Sequence, residues 1–450
     1  MSEMSENHIT AKWNKFWFEP ASPVAMAIFR ILFGLIVLED LLVHLYPDFA
    51  LFYLKNSLVP INDMIALFWH RSALFDAMLL LPPGDQYIWA TYWVLVAATV
   101  CTILGLFTRV SSWIVFFLLM SFSSHFELNQ NAGDNYIRIM AMGVALSNAG
   151  DALSLDNLIK SLRQDWRVTG FGARLSAPWA QRLIMVQLSI AYFHAWYVKM
   201  KGAHWNDGTA VYYAVRYDDL VRFPIPHFLD QLWVYQILTW GTLVIEFALF
   251  TLIWFRPTRY WVLLTGLSLH LGIEYCMNLP MFEWVFMFTY ILYLYPEDLS
   301  RSWTYIKALI VSKFGEPYKL AYDGDCLFCV RVVGLIHRLD VFGRLRPVDF
   351  RADEKSELGE IDLDRAEKEI LINTRKKDKS DKENKGTWLG GFQAFRFICA
   401  RLPLLAILTP FLYLPVVAQL GAAIYSIVAA NRQAILGGSC SHESCKVPAI

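Results

Sequence analysis

Tyr322-Asp323-Gly324-Asp325-Cys326-Leu327-Phe328-Cys329 is the stretch on which the reading of this chain turns. Apolar residues at Tyr318–Tyr322 give a short strand. The spacing after Cys326 switches to a helical period over 327–340, with Val330, Val333 and Leu335-Ile336 on the apolar side. A Cys-x-x-Cys pair at a strand-to-helix junction is the arrangement of a redox dithiol. Two thiols one turn apart can close a disulfide without moving the backbone, and a thiol at a helix start has a lowered pKa. Cys326 is therefore expected to be the attacking thiol and Cys329 the resolving one. Asp323 and Asp325 flank the pair and could relay protons, while opposing thiolate formation by their charge.

Downstream, 344–350 and 369–373 read as strands, 375–385 (RKKDKSDKENK) as a solvated hairpin tip, 387–389 as a fourth strand and 392–400 as a helix. That order, with the dithiol after the first strand, is a small α/β thioredoxin-like domain. It is assigned to 317–450, behind a polar linker at 301–316. Upstream, 17–300 reads as membrane. The chain is 56% hydrophobic and 18% charged and holds 17 Trp and 21 Tyr, a shift towards a lipid environment. A formal net charge of zero argues against a nucleic-acid partner. The polar start through Lys15, with no small-residue site after the first apolar run, reads as lacking a cleavable leader.

Eight transmembrane helices are expected, near 24–45, 87–107, 110–126, 134–149, 178–198, 234–255, 259–277 and 281–296. The amphipathic segment 60–81 is placed on the membrane surface or as a half-span. Lys12, Lys15, Arg109, Lys160, Arg163, Arg167, Arg174, Arg256 and Arg259 fall on one side of this arrangement, and 127–133 and 278–280 carry no Lys or Arg. By the positive-inside rule both termini and the redox domain are cytoplasmic in a multi-pass cell-membrane protein. The loop 199–233, with Lys199, Lys201, Arg216 and Arg222, breaks the rule and marks either a functional site or a topology error. The apolar segment 404–430, interrupted by Pro410 and Pro415, is read as a buried or membrane-apposed helix pair in preference to a ninth span.

Ionisable groups inside spans are costly and are functional candidates. They are Arg30, Arg138, Glu246, His270 and Glu274, the last two sharing a helical face. The plainer alternative is that such groups pair with one another and fix helix register. The run from Tyr192 to Ala210 holds Lys199 and Trp205 at a span end; Lys199 there is either a base or a side chain reaching back to the interface.

The Asp-Gly-Asp-Cys-x-x-Cys run, Gly391 to Ala394, and Tyr425 with Asn431-Arg432 resemble the DCC family of thiol-disulfide oxidoreductases over roughly 317–436. The resemblance implies a thioredoxin-like fold and disulfide-reductase activity. Thioredoxins place a cis-proline opposite the dithiol, before the third strand; here no Pro lies between Phe350 and Trp388. Arg30 with Gly34, Asn135 with Arg138, Leu153-Ser154-Leu155-Asp156, Lys199…Trp205…Gly208-Thr209-Ala210 and Cys276-Met277-Asn278…Phe282 resemble the HTTM membrane domain over roughly 17–300. That domain is related to vitamin K-dependent γ-glutamyl carboxylase, which uses a lysine as base. Lys199 is the nearest match, while the aligned position itself falls on Met200.

Three functions follow as expectations. The first is a membrane thiol-disulfide oxidoreductase acting through Cys326 and Cys329 on a protein or small-molecule thiol or disulfide. It needs no metal or further cofactor for exchange, and a quinone is its candidate lipid-soluble partner. The second is a carboxylase-like membrane enzyme with Lys199 as base. The third is a non-enzymatic scaffold in which Cys326, Cys329, Cys440, His442 and Cys445 hold zinc.

Overall fold

The protein is described by a computed structural model covering residues 8–55, 57–58, 80–82, 84–125, 132–164, 175–352, 357–359, 361–374 and 387–435. Apart from its last two residues, the segment expected to be amphipathic at 60–81 lies outside these residues, as do the hairpin tip 375–385 and Cys440, His442 and Cys445. The chain divides into two compact units, Met1–Asn157 with Ala173–Pro296, and Leu158–Gly172 with Glu297–Ile450.

The first unit is helical. Each stretch expected to span overlaps a helix: Val24–Glu39 continued by Asp40–Leu45, then Asp85–Leu104, Thr108–His125, Ala132–Leu146, Trp179–Met200, Leu232–Thr251, Arg259–Cys276 and Phe282–Thr289. Two are long and apolar enough to cross a membrane on those grounds alone, Asp85–Leu104 and Leu232–Trp254. A helix satisfies its own backbone, so an apolar run can be helical wherever it lies. Phe29, Phe33, Phe49, Tyr92, Leu95, Met140 and Met185 form the packed interior. Outward-facing positions are also apolar: Val244, Trp261 and Ile237 are at least 60% exposed.

The second unit is a four-stranded sheet with helices. Its strands are β1 (Tyr318–Tyr322), β2 (Leu345–Asp349), β3 (Leu371–Thr374) and β4 (Thr387–Gly390), in spatial order β2-β1-β3-β4. β1 and β2 run parallel through the crossover helix Leu327–Leu339, while β3 is antiparallel to both β1 and β4. One face packs Leu320, Tyr322 and Ile372 against Val330, Val333, Ala394 and Ile398. The other packs Ala321, Val348 and Leu371 against Phe350, Leu358 and Ala366. The alternation along β1 is what lets one strand serve two cores.

Two segments take a more definite form than their composition suggested. The segment expected as a linker at 301–316 is largely helix, Pro296–Phe314. Its Glu297 and Asp298 in the first turn and Lys313 in the last match the helix dipole, and its polarity reflects exposure rather than lack of structure. The segment 404–430 is a broken set of helices, Pro403–Ala406, Thr409–Leu412 and Pro415–Ala430, with no buried residue in any of them. Of the two alternatives expected for it, burial is excluded: only Leu405 packs partly against the core, and the rest is exposed or half-buried.

Candidate functional site

β1 ends at Tyr322 and the crossover helix begins at Leu327, so 323–326 form the turn that delivers the dithiol. Cys326 is the N-cap residue: its Sγ accepts from the backbone N–H of Cys329 at 3.4 Å. Cys326 is half-buried, whereas Cys329 is only 5% exposed. A thiol hydrogen bond from Cys329, reinforced by that backbone N–H and by the Arg432 guanidinium, pulls Cys326 down to about 6. Cys329 moves the opposite way, held as the protonated donor to Cys326 and by burial. One thiolate and one thiol at neutral pH is the division of labour that exchange requires.

The turn is fixed by carboxylates. Asp349, at the end of β2, accepts from the backbone N–H of Gly324 at 3.0 Å and of Arg351 at 2.9 Å. A Cβ on Gly324 would lie 1.9 Å from an Asp349 oxygen, so only glycine fits. Asp323 is buried; its Oδ1 accepts from the backbone N–H of Asp325 at 3.1 Å and from Arg351 Nε at 3.2 Å. The Arg351 charge offsets the repulsion that a carboxylate so near the dithiol would exert. Asp325 is exposed.

The wall beside Cys329 comes from the end of the described chain. Arg432 Nη1 donates to Cys329 Sγ at 3.8 Å, and its Nη2 donates to the carbonyl of Glu367. Tyr425 Oη accepts from the backbone N–H of Ile370, immediately before β3, at 3.1 Å. In thioredoxins the residue before the third strand is a proline and has no N–H to satisfy; here the N–H is present and Tyr425 supplies its acceptor. No peptide bond among the described residues is cis.

In the helical unit each candidate ionisable group has a partner. Arg30 is fully buried and donates to the carbonyls of Ala149 (2.6 Å), Leu153 (2.6 Å) and Ile103 (3.4 Å). Arg138 donates to Asn135 Oδ1. His270 and Glu274 do not meet: Glu274 pairs with Arg222, while His270 bonds Glu283 through Nδ1 and Tyr192 through Nε2 at 2.6 Å. Tyr192 continues to Tyr290 at 2.7 Å, completing a buried chain Glu283–His270–Tyr192–Tyr290. Lys199 pairs with Glu246 and lies 5.1 Å from the Trp205 ring centroid. Lys201 lies over Tyr197, and Arg216 pairs with Asp230, so all four cations of the loop that broke the charge rule are partnered. One oxygen each of Glu246 and Glu283 is buried without a partner.

The HTTM domain family model matches residues 18–298. The chain belongs to the HTTM family. A second model, DCC1-like thiol-disulfide oxidoreductase, matches 320–438. The chain is thus an HTTM domain followed by a thiol-disulfide oxidoreductase domain of the DCC1-like kind, the fusion that its motifs resemble. Among curated proteins it is similar to the uncharacterized protein YitO of Bacillus subtilis (strain 168), 29% identical over 138 residues, covering 29% of this chain and 44% of that one. The chain therefore spans less than half the length of that relative. No solved structure matches it.

The HTTM family makes a membrane protein the natural context of the helical unit, and the DCC1-like match makes an oxidoreductase the natural reading of the dithiol. Asp349, Arg351 and Glu283 escaped the sequence reading. Glu283 carried a usable signal, an acid within an otherwise apolar run, but Asp349 and Arg351 look like ordinary strand-end polar residues. Among the described residues no three metal-ligating side chains converge; Cys440, His442 and Cys445 lie outside them.

Proposed function

We propose that the protein is an integral membrane thiol-disulfide oxidoreductase that exchanges disulfides through Cys326 and Cys329. The observation that carries this is the geometry of the two sulfurs at one helix N-terminus, Cys326 half-buried at the N-cap and accepting from the Cys329 N–H, with Cys329 buried one turn in, inside a segment that matches the DCC1-like model. The Cys326 thiolate attacks a substrate disulfide, forming a mixed disulfide and expelling one substrate thiolate. Cys329 then loses its proton and attacks Cys326 Sγ, leaving the Cys326–Cys329 disulfide and the second substrate thiolate. Two electrons pass to the substrate, and its two sulfurs leave as thiols after taking up two protons. In the reverse direction, where the Cys326–Cys329 disulfide oxidises a substrate dithiol, a quinone is a consistent lipid-soluble acceptor that regenerates the disulfide, since oxidising the dithiol and reducing a quinone to hydroquinone both move two electrons and two protons.

The membrane arrangement has eight spans with both termini and the redox domain in the cytoplasm. It is supported by the family, by the outward apolar faces and by loop charge. The partnered state of Lys199, Lys201, Arg216 and Arg222 explains how a loop on the other side can carry four cations. The deciding experiment is thiol titration and mass mapping of the full-length protein with and without reductant. Reversible conversion of Cys326 and Cys329 between dithiol and disulfide is expected. Fixed thiols, or near-stoichiometric zinc on the same sulfurs, would refute the proposal. A second reading is favoured by the buried Glu283–His270–Tyr192–Tyr290 chain and the Lys199–Glu246 pair: acid–base chemistry within the helical unit, with Lys199 as base.

A further inference from the structure

The segment 402–430 contains no Asp, Glu, Lys, Arg or His, and its only polar side chains besides two tyrosines are Thr409, Gln419 and Ser426. Such a stretch is normal in a domain core, but here, beyond the buried Leu402, it is largely on the outside. Ile407 and Phe411 are 76% and 62% exposed, and Val416, Leu420, Ile424 and Ile427 are each 59–67% exposed. The last four recur at helical spacing and make one continuous stripe along Pro415–Ala430. The opposite side of that helix is fixed to the redox domain. Gly421 packs against the Phe392 ring so closely that a Cβ would lie 2.2 Å from it, and Tyr425 accepts from Ile370 N–H.

We propose that this segment seats the redox domain on a phospholipid bilayer, lying in its surface with the Val416–Leu420–Ile424–Ile427 stripe among the acyl chains. The inference rests on the membrane reading above. Three features favour lipid over a protein surface. The domain is covalently continuous, through the helix Pro296–Phe314, with an HTTM unit, so a bilayer is present at high effective concentration. The stripe lacks the hydrogen-bonding groups that give protein interfaces their specificity. Arg396 and Arg401 stand just before the segment, a placement that suits anionic headgroups beside an apolar insertion.

The same geometry excludes a crossing. Sixteen residues of helix span about 24 Å, against roughly 30 Å of hydrocarbon. Pro410 and Pro415 break the run before it, and inserting the helix across a bilayer would tear Tyr425 from Ile370. Because Tyr425 and Arg432 belong to this segment and its end, a surface seat would hold the dithiol close to the headgroups. Its substrate would then be a thiol or disulfide presented at the membrane surface.

The test uses the full-length protein in nanodiscs of phosphatidylcholine and phosphatidylglycerol, with a carbene-generating phospholipid and peptide mapping by mass spectrometry. Residues 416–427 should take up about tenfold more lipid label than the exposed residues Leu363, Asp364 and Arg365, as expected of an interfacial helix. The double variant Leu420→Asp/Ile424→Asp should lower that uptake about tenfold, because charge is costly there, while Cys326 and Cys329 still cycle. Background labelling of 416–427 while Leu232–Thr251 is labelled overturns the seat alone. Background labelling of both overturns the membrane reading and the seat with it. Protection of 416–427 from lipid and from a water-soluble carbene, lost on dilution, would assign the face to a second copy and overturn the proposal. So would an impermeant maleimide that reaches Cys440 only from the side opposite Cys326.

Discussion

Carbamidomethylation of the reduced protein across pH tests the electrostatics of the dithiol directly. Cys326 is drawn to about 6 from an ordinary value of 9.0. At pH 7 such a thiol is about 90% thiolate and an ordinary one about 1%, a roughly 90-fold difference. Nucleophilicity falls with basicity, and a Brønsted slope of about 0.4 over three units returns about 16-fold of that gain. The net expectation is that Cys326 reacts about fivefold faster than an unperturbed thiol at pH 7, with a rate that rises through pH 6 and is flat above 7. Cys329 and the buried Cys399, whose thiol is pushed up to about 11 by burial, should stay unreacted on the same timescale. Quantitative mass spectrometry of the separate cysteine peptides resolves these rates. Cys329→Ser keeps a donor to Cys326 and should keep the low midpoint; Cys329→Ala removes it and should move the midpoint up. The sign for stability follows. A depressed pKa in the folded state stabilises the folded, reduced domain above the unfolded thiol value near 8.5, and that contribution is lost as pH falls through 6. A Cys326 midpoint at 8 or above, or faster modification of Cys329, would refute the account of a thiolate held by its partner thiol.

Three further outcomes are expected. Gly324→Ala places a methyl on the Asp349 carboxylate and should destabilise the redox domain by about 1–3 kcal/mol, read as a lower midpoint in its denaturant unfolding. Arg432→Gln removes the cation beside Cys329 Sγ and should slow the resolving step; mixed disulfides on Cys326 then accumulate under acid quench, added guanidinium partly restores turnover, and the Cys326 alkylation profile changes little. Lys199→Ala should leave dithiol cycling at its original rate, and any reaction run by the helical unit should disappear with it; loss of cycling would show that the two activities are not separable in the way proposed.

The redox domain was legible because its signals are local. A strand of alternating residues, two cysteines one helical turn apart and a run of polar hairpin residues each mean the same thing wherever they occur, so β1, the crossover helix and the order of strands follow from sequence. Helical segments upstream were legible for the same reason, since an apolar stretch of such length must satisfy its own backbone. Partners were not legible. His270 and Glu274 lie four apart and face the same way, yet each bonds to a different element, because the choice is made by which helix packs alongside.

The sequence alone determined that two sulfurs would stand at a helix start behind a long apolar region, since hydrophobic period and motif spacing are properties of the chain itself. Only the tertiary structure decided what surrounds the pair: Arg432, about a hundred positions away in the chain, lies against Cys329 Sγ, and Cys329 is buried. It likewise decided that the uncharged segment beyond Leu402 faces largely outward, because burial is settled by the packing of the whole domain and not by the composition of one stretch.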